Sequence, residues 1–347
     1  MKINYQHISA IAVFLFFAGA TLAQPIIFND AIFKQELISL GIDTSGNGEI
    51  EIQEAHLITT ITLDNKGITD LTGLEHFINL ESLQLKDNAF STIPLTTLTK
   101  LTFLRFDNNS VGEVNLSTLL DLEFLYCPFN DLTELDISNN TKLIVVKAYD
   151  NDISTLNVTG LTSLEVLFLS NNNLATVDIS TLSALEQIQL KANGLTEIDF
   201  SNNTTLTLIY VQVNELTTLN VSNQVGLTAL RVQLNSGLEE VCVPDKDAAE
   251  ASGDFVKDSA TAWIECVVND IKPSMSLNGW SISPNPTSNR VSIAGNVAEV
   301  LVFDALGNEL LSSAKSIVDL SDQKSGVYFL RVRYANGETH VERILKQ

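Results

Sequence analysis

The chain has 347 residues, 45% of them hydrophobic, with 42 Asp+Glu against 20 Lys+Arg and a formal net charge of −22. A polyanion of this size is repelled by nucleic acid and by anionic lipid, so neither is expected as a partner. Residues 1–23 read as a secretory leader, with Lys2 at the start, an apolar run from Ala10 to Ala20, and Thr21-Leu22-Ala23 before Gln24. That run is too short to span a bilayer as a helix, no other stretch is longer, and no cysteine lies near the cleavage point. The mature chain is therefore expected to lack a transmembrane segment and to be secreted.

After the leader, the sequence predicts a helix from Ala31 to Leu40, followed by the twelve residues D-T-S-G-N-G-E-I-E-I-Q-E from Asp43 to Glu54. Side-chain oxygens fall at positions one, three and five (Asp43, Ser45, Asn47), glycine at six (Gly48), and an apolar anchor at eight (Ile50). Glu49 offers its carbonyl at seven, Glu51 lies at nine, and Glu54 stands at twelve, where a bidentate carboxylate closes the cage. A hard cation needs six or seven oxygens at about 2.3–2.6 Å, and this spacing folds them inward. The segment resembles an EF-hand calcium loop. No long second helix follows it, so the expected role of Ca2+ is a structural clamp on residues 24–57 ahead of the next domain, not a sensor.

From Ile58 onward a unit of the form L-x-x-L-x-L-x-x-N-x-L recurs nine times, starting at Ile58, Leu80, Leu101, Leu122, Leu143, Leu164, Leu185, Leu206 and Leu227. The first step is 22 residues and every later one is 21. A unit this short cannot bury its apolar side alone, so the units must stack into a solenoid. Apolar residues at positions four and six face inward from a strand and their neighbours face outward, which makes a parallel sheet of stacked strands. The return path is too short for a full helix and is expected to hold turns or 3-10 segments.

An asparagine column runs through Asn88, Asn109, Asn130, Asn151, Asn172, Asn193, Asn214 and Asn235, with Lys66 in its place in the first unit. Both columns together resemble the leucine-rich-repeat family over Ile58 to about Val243. The resemblance implies a concave parallel β-sheet, short convex segments, and asparagines that hydrogen-bond backbone groups at the turn after each strand. The Asn-x-Ser/Thr triplets at Asn115, Asn157 and Asn220 read as repeat consensus, not glycosylation signals.

Outward positions three, five and seven of the nine units comprise 27 residues, of which six are aromatic: Phe103, Phe124, Tyr126, Tyr149, Phe168 and Tyr210. That is about a fifth, against 7% for the whole chain. Five more are basic (Lys86, Arg105, Lys147, Lys191, Arg231) and two acidic (Asp64, Asp107), and Asp87 and Asp150 at position eight bring the face close to neutral. An aromatic-basic strip centred on the third to sixth repeats suits stacking on sugars or gripping a protein or glycan. Cys127 occupies an inward position and is expected to be a small buried hydrophobe.

Leu238, Val241 and Val243 are expected to open a tenth, incomplete unit. Cys242 and Cys266 bracket the segment after it, and export permits a disulfide there. This end resembles the disulfide-bounded caps of bacterial repeats, so the repeat domain with its cap is placed at residues 58–268. Residues 269–280 read as a linker.

Residues 281–347 balance 7 basic against 7 acidic residues and alternate in hydropathy, with Asn285-Pro286, Gly307-Asn308 and Asn336-Gly337 as turns. The stretches SPNPTSNRVSI and VFDALGNEL, the strand Gly326-Val327-Tyr328-Phe329-Leu330 and the basic end at Lys346 resemble the C-terminal sorting domain of the type IX secretion system of Bacteroidetes. The resemblance implies a small β-sandwich, contact with that secretion machinery, and delivery to the outer cell surface.

The four histidines are His7, His56, His76 and His340, and no HExxH, G-x-S-x-G or phosphate-loop pattern occurs. Short regular repeats leave no deep pocket to shape a reaction, so no enzyme is expected. The sequence favours a surface-displayed binding protein. A self-associating surface scaffold and an accessory to polysaccharide uptake stand as alternatives.

Overall fold

The computed structural model describes residues 24–266 and, within the tail, residues 282–283, 287, 290–293, 297–304, 309–335 and 339–346. The leader, the linker and the three turn dipeptides of the tail lie outside the described residues. The chain divides into two compact units, the first ending at Cys266 and the second beginning at Val267. Among the described residues no helix is long and apolar enough to cross a membrane.

The first unit is a parallel-sheet solenoid of about ten turns. Its main sheet holds ten strands in sequence order: Thr60–Thr62, Ser82–Gln84, Phe103–Arg105, Phe124–Tyr126, Val145–Lys147, Val166–Phe168, Gln187–Gln189, Leu208–Tyr210, Ala229–Arg231 and Phe255–Val256. The register follows the period directly, as in Phe103 opposite Phe124 and Phe124 opposite Val145. From the second strand to the ninth, the central residue is buried and its two neighbours are half-buried, the alternation expected of a sheet with one covered face. The apolar columns meet in one continuous core running from Ile26 to Trp263.

Each turn is closed by two devices. The residue before the asparagine position takes a left-handed conformation in all nine repeats, from Asn65 (φ 55°) to Leu234 (φ 60°). The asparagine that follows then reaches backward. Asn172 donates through Nδ2 to the carbonyls of Ala148 and Leu169, both at 3.0 Å, and accepts from Ile153 N–H at 2.9 Å. Asn88 does the same for the asparagine-less first repeat, accepting from Lys66 N and Ile68 N.

The return path is mostly turn, with a 3-10 segment at Leu74–His76. It also carries short parallel strands that the period did not predict: Glu134–Asp136 pairs with Thr155–Asn157, and Leu219–Asn220 with Glu240–Val243 and Ala262–Glu265. The Asn-x-Ser triplets lie on this side as turn locks, Asn115 accepting from Ser117 N and Oγ, and Asn220 from Ser222 N and Oγ.

One expectation is corrected here. Leu238, Val241 and Val243 do not open a tenth unit. Val241 pairs with Leu219, on the return leg, so these residues complete the ninth turn. The tenth strand of the main sheet is Phe255–Val256, reached after a helix at Lys246–Ala251. The spacing L-x-x-V-x-V is shared by strand and return leg, since Leu216, Leu219 and Val221 show it as well. A disulfide joins Cys242 to Cys266 across this end, and Trp263 is buried beneath it.

At the other end a helix, Ala31–Ser39, packs Phe33 and Leu37 into the same core. Its N-cap Asp30 accepts from Ile32 N and Phe33 N through Oδ1, and from Thr69 N and Oγ through Oδ2. One carboxylate thus caps the helix and fastens it to the first repeat. Close by, Gly73 (φ 103°) faces the Phe28 ring, where an added Cβ would lie 2.7 Å from ring carbons.

The tail forms two antiparallel sheets. One contains Ile282–Ser283, Arg290–Ile293 and Ile317–Asp319; the other contains Glu309–Ser313, Val297–Phe303, Gly326–Tyr334 and Thr339–Lys346. Val291, Ile293 and Val318 of the first share a core with Val300, Val302, Leu330, Val332 and Ile344 of the second.

Candidate functional site

Side chains 21 residues apart become neighbours on adjacent strands, so the outward positions form rows across the main sheet. In the middle row Tyr126, Lys147 and Phe168 lie side by side. The Lys147 ammonium sits between the two rings, 5.4 Å from the Tyr126 centroid and 5.3 Å from that of Phe168. Phe103 lies 5.4 Å from Tyr126 and 6.1 Å from Phe124, both rings tilted against it. Phe124, Phe103, Tyr126, Lys147 and Phe168 therefore make one continuous strip of half-buried groups. Tyr210 and Arg231 form a separate pair further along, the guanidinium 4.7 Å from the ring.

Two further cations of this face are engaged by carboxylates. Arg105 donates through Nε and Nη2 to Oδ2 of Asp107 at 2.9 and 2.8 Å, and Lys86 pairs with Asp87 at 3.4 Å. The Asp107 hydrogen bond holds the Arg105 guanidinium above its ordinary pKa against the effect of burial, and the Asn108 amide holds the Asp87 carboxyl below its own. Burial, then the Asp107 carboxylate, pushes the Tyr149 phenol up. Cys127 is fully buried, and burial followed by Asp107 raises its thiol far out of the reactive range.

Beyond the row end lies a cavity of about 390 Å³, bounded by the Lys86–Asp87 and Arg105–Asp107 pairs together with Asn108, Phe129 and Tyr149. Phe129 was not singled out from sequence. It occupies position eight, where Asn or Asp stands in five of the other repeats, and that substitution is the signal that could have marked it.

The loop from Asp43 to Glu54 turns on Gly46 (φ 72°) and Gly48 (φ 80°). Asp43 folds inward, Oδ1 accepting from Gly46 N and Oδ2 from Gly48 N at 2.7 and 2.8 Å. Glu54 Oε1 accepts from Thr44 N, Thr44 Oγ and Ser45 N, while Oε2 accepts from Glu51 N. Burial raises the Glu54 carboxyl, but the backbone of Glu51, the Thr44 hydroxyl and the Ser45 backbone outweigh it and hold its pKa at about 2. Asn47 donates to Glu51, and Glu49 is paired with Lys34 at 2.8 Å. Among the described residues no three His, Cys, Asp or Glu side chains converge as a metal-holding group.

Residues 281–347 match the family described as secretion system C-terminal sorting domain, and residues 163–185 match that described as leucine rich repeat. None of the curated proteins matches the chain. Among solved structures, internalin C2 of Listeria monocytogenes is 24% identical with a TM-score of 0.51, over 60% of this chain and 95% of that one. The functional domain of InlJ from the same organism is 19% identical with a TM-score of 0.44, over 86% and 93% of the two chains. A leucine-rich-repeat protein of Leptospira interrogans is 18% identical with a TM-score of 0.47, over 62% and 70%. The likeness to internalin C2 establishes the leucine-rich-repeat fold and nothing further.

Proposed function

We propose that this chain is a non-enzymatic recognition protein displayed at the cell surface, and that the main sheet face, centred on repeats three to six, holds a protein or glycan ligand. The observation that carries this reading is the continuous strip from Phe124 through Phe103, Tyr126 and Lys147 to Phe168. Sheet stability needs the inward columns, which are complete without it. Aromatic rings packed at a tilt against one another on the outward side give a broad, rigid surface with little conformational entropy to lose on binding. The sorting-domain match at 281–347 supports export through a dedicated secretion system, with the tail as a small β-sandwich that contacts the machinery.

The test is binding of the full chain to a panel of glycans and surface proteins, with Phe124, Tyr126 and Tyr149 replaced together by alanine as the control. Loss of binding in a folded triple variant supports the face. Unaltered binding places the ligand elsewhere.

We also propose that Ca2+ occupies the loop at Asp43–Glu54 as a structural ion held by Asp43, Ser45, Asn47, Glu49, Glu51 and Glu54. All the donors are oxygens, and the two positive-φ glycines give the sharp turn such a cage requires. Glu54 can close the cage only by releasing Oε1 from Thr44 and Ser45. Calorimetric titration of the full chain with calcium should show one site that Asp43→Ala removes. Equal binding by that variant would refute the assignment.

A further inference from the structure

The cavity beside Phe129 follows from one residue of the repeat. Position seven carries Lys86, Asp107, Pro128 and Tyr149 in successive turns. Pro128 is buried and has no extended side chain, so a gap opens between Asp107 and Tyr149. Over this gap stands Phe129, meeting Tyr149 edge-on with centroids 5.5 Å apart and planes at 86°.

The repeat sets the backbone at Phe129 but does not call for a phenylalanine there, since five other turns hold Asn or Asp. Its φ is +54°, a conformation that Asn and Asp tolerate and that costs a bulky residue about 1 kcal/mol or more. Half of its surface remains open at 50% exposure, so burial returns little of that cost. Val213 and Leu234 hold the same conformation in their own turns, so what sets Phe129 apart is its ring, seated against Tyr149 at the edge of the cavity.

The polar lining narrows the ligand. Two cations and two carboxylates face the cavity and are mutually paired, so it has no net charge to select a phosphate, a sulfate or a metal ion. Asp107 is 8% exposed, and its Oδ1 has no donor. An apolar peptide side chain could lie against Phe129, but it would cover these charged groups and give them nothing in return. A ligand with one C–H face and a rim of hydroxyls meets both needs. Hydroxyls donate to the Asp87 carboxylate and accept from Lys86, Arg105 and Asn108, with the buried Asp107 holding the Arg105 guanidinium in place.

We infer that this cavity is a saccharide subsite, taking a neutral pyranose unit of a glycan with its C–H face on Phe129 and its hydroxyls against the Lys86–Asp87 and Arg105–Asp107 pairs. The assignment rests on the main sheet face being the recognition surface, and it extends that face past the aromatic strip. A volume of about 390 Å³ lies within the range of small-ligand sites.

The test is calorimetric titration of the full chain with neutral hexasaccharides of glucose, xylose and mannose, and with polygalacturonate as the anionic comparison. At least one neutral sugar should bind, with Phe129→Asn weakening it tenfold or more. That variant places a favoured residue at a positive φ, so it should fold at least as well as the parent. Asp107→Asn should weaken the same sugar several-fold. Three results would overturn the inference: no neutral sugar binds, polygalacturonate is preferred, or Phe129→Asn binds as the parent does. If sugar binding survives Phe129→Asn but is lost in the Phe124→Ala, Tyr126→Ala variant, the subsite falls while the sheet-face reading stands.

Discussion

The Lys147 ammonium lies 5.4 Å from the centre of the Tyr126 ring, one strand away and at the same position of its repeat. A lysine that looks free in sequence is therefore held by the preceding turn, and by Phe168 on the other side. A double-mutant cycle of Tyr126→Leu and Lys147→Met should give a coupling of about 0.5–1 kcal/mol in urea denaturation. Additive effects would show that the two side chains are only adjacent.

The solenoid was legible because its period acts on every level at once. Two inward apolar columns and one asparagine column at a 21-residue spacing leave a single way to stack the turns. What the sequence obscured has specific causes. The end of the ninth turn was misplaced because strand and return leg share one apolar spacing, so Leu238, Val241 and Val243 fit either. The left-handed column escaped notice because it holds Asn and Asp in some turns but Phe129, Ala192, Val213 and Leu234 in others. The pairing of Arg105 with Asp107 and the gap at Pro128 depend on which residues share a row, which becomes readable once residues 21 apart are treated as neighbours.

The asparagine ladder should be more costly to break than the turn locks on the return side. Asn172 satisfies two buried carbonyls and the buried Ile153 N–H. Asn172→Ala leaves the buried Ile153 N–H without a partner and takes one of two donors from each carbonyl, Ala148 keeping Asn151 and Leu169 keeping Asn193, and should cost about 1–3 kcal/mol. Asn115 accepts only from its own exposed turn at Ser117, so Asn115→Ala should cost about 1 kcal/mol or less. Urea midpoints of the two variants decide this, and equal losses would mean that the ladder is redundant.

Val213 is a β-branched residue at φ +61° and is partly exposed. Val213→Asn removes an unfavourable contact between side chain and backbone without disturbing the Asn214 ladder. The variant should gain about 1 kcal/mol in urea denaturation. A loss would show that packing of the valine against adjacent turns outweighs its strain.

Asp30 links acid stability to the N-terminal end. Burial raises its carboxyl, but the Thr69 and Phe33 amides, the Thr69 hydroxyl and the Ile32 amide outweigh that and leave its pKa below the ordinary 3.8. A folded pKa depressed below the unfolded one gives stability that is complete above about pH 4 and is lost as pH falls through the folded value. Asp30→Asn should therefore flatten the pH dependence of the unfolding midpoint below pH 4 and leave its slope above pH 5 unchanged. An identical acid slope in the variant would assign the transition to other carboxylates.

The disulfide secures the opposite end. Cys242 lies on Glu240–Val243, which pairs with Ala262–Glu265, and Cys266 follows directly, 24 residues along the chain. Between them run the helix Lys246–Ala251, the tenth strand of the main sheet and the buried Trp263. Closing a loop of this length contributes about 3 kcal/mol by restricting the unfolded chain. Each turn of a solenoid contacts only its neighbours, so removing the bond should loosen the last turn first. In the Cys242→Ser, Cys266→Ser variant, hydrogen exchange should quicken over residues 240–265 while the central repeats keep their protection. Uniform loss of protection along all the repeats would show instead that the solenoid unfolds as one cooperative block, with its C-terminal end as the common weak point.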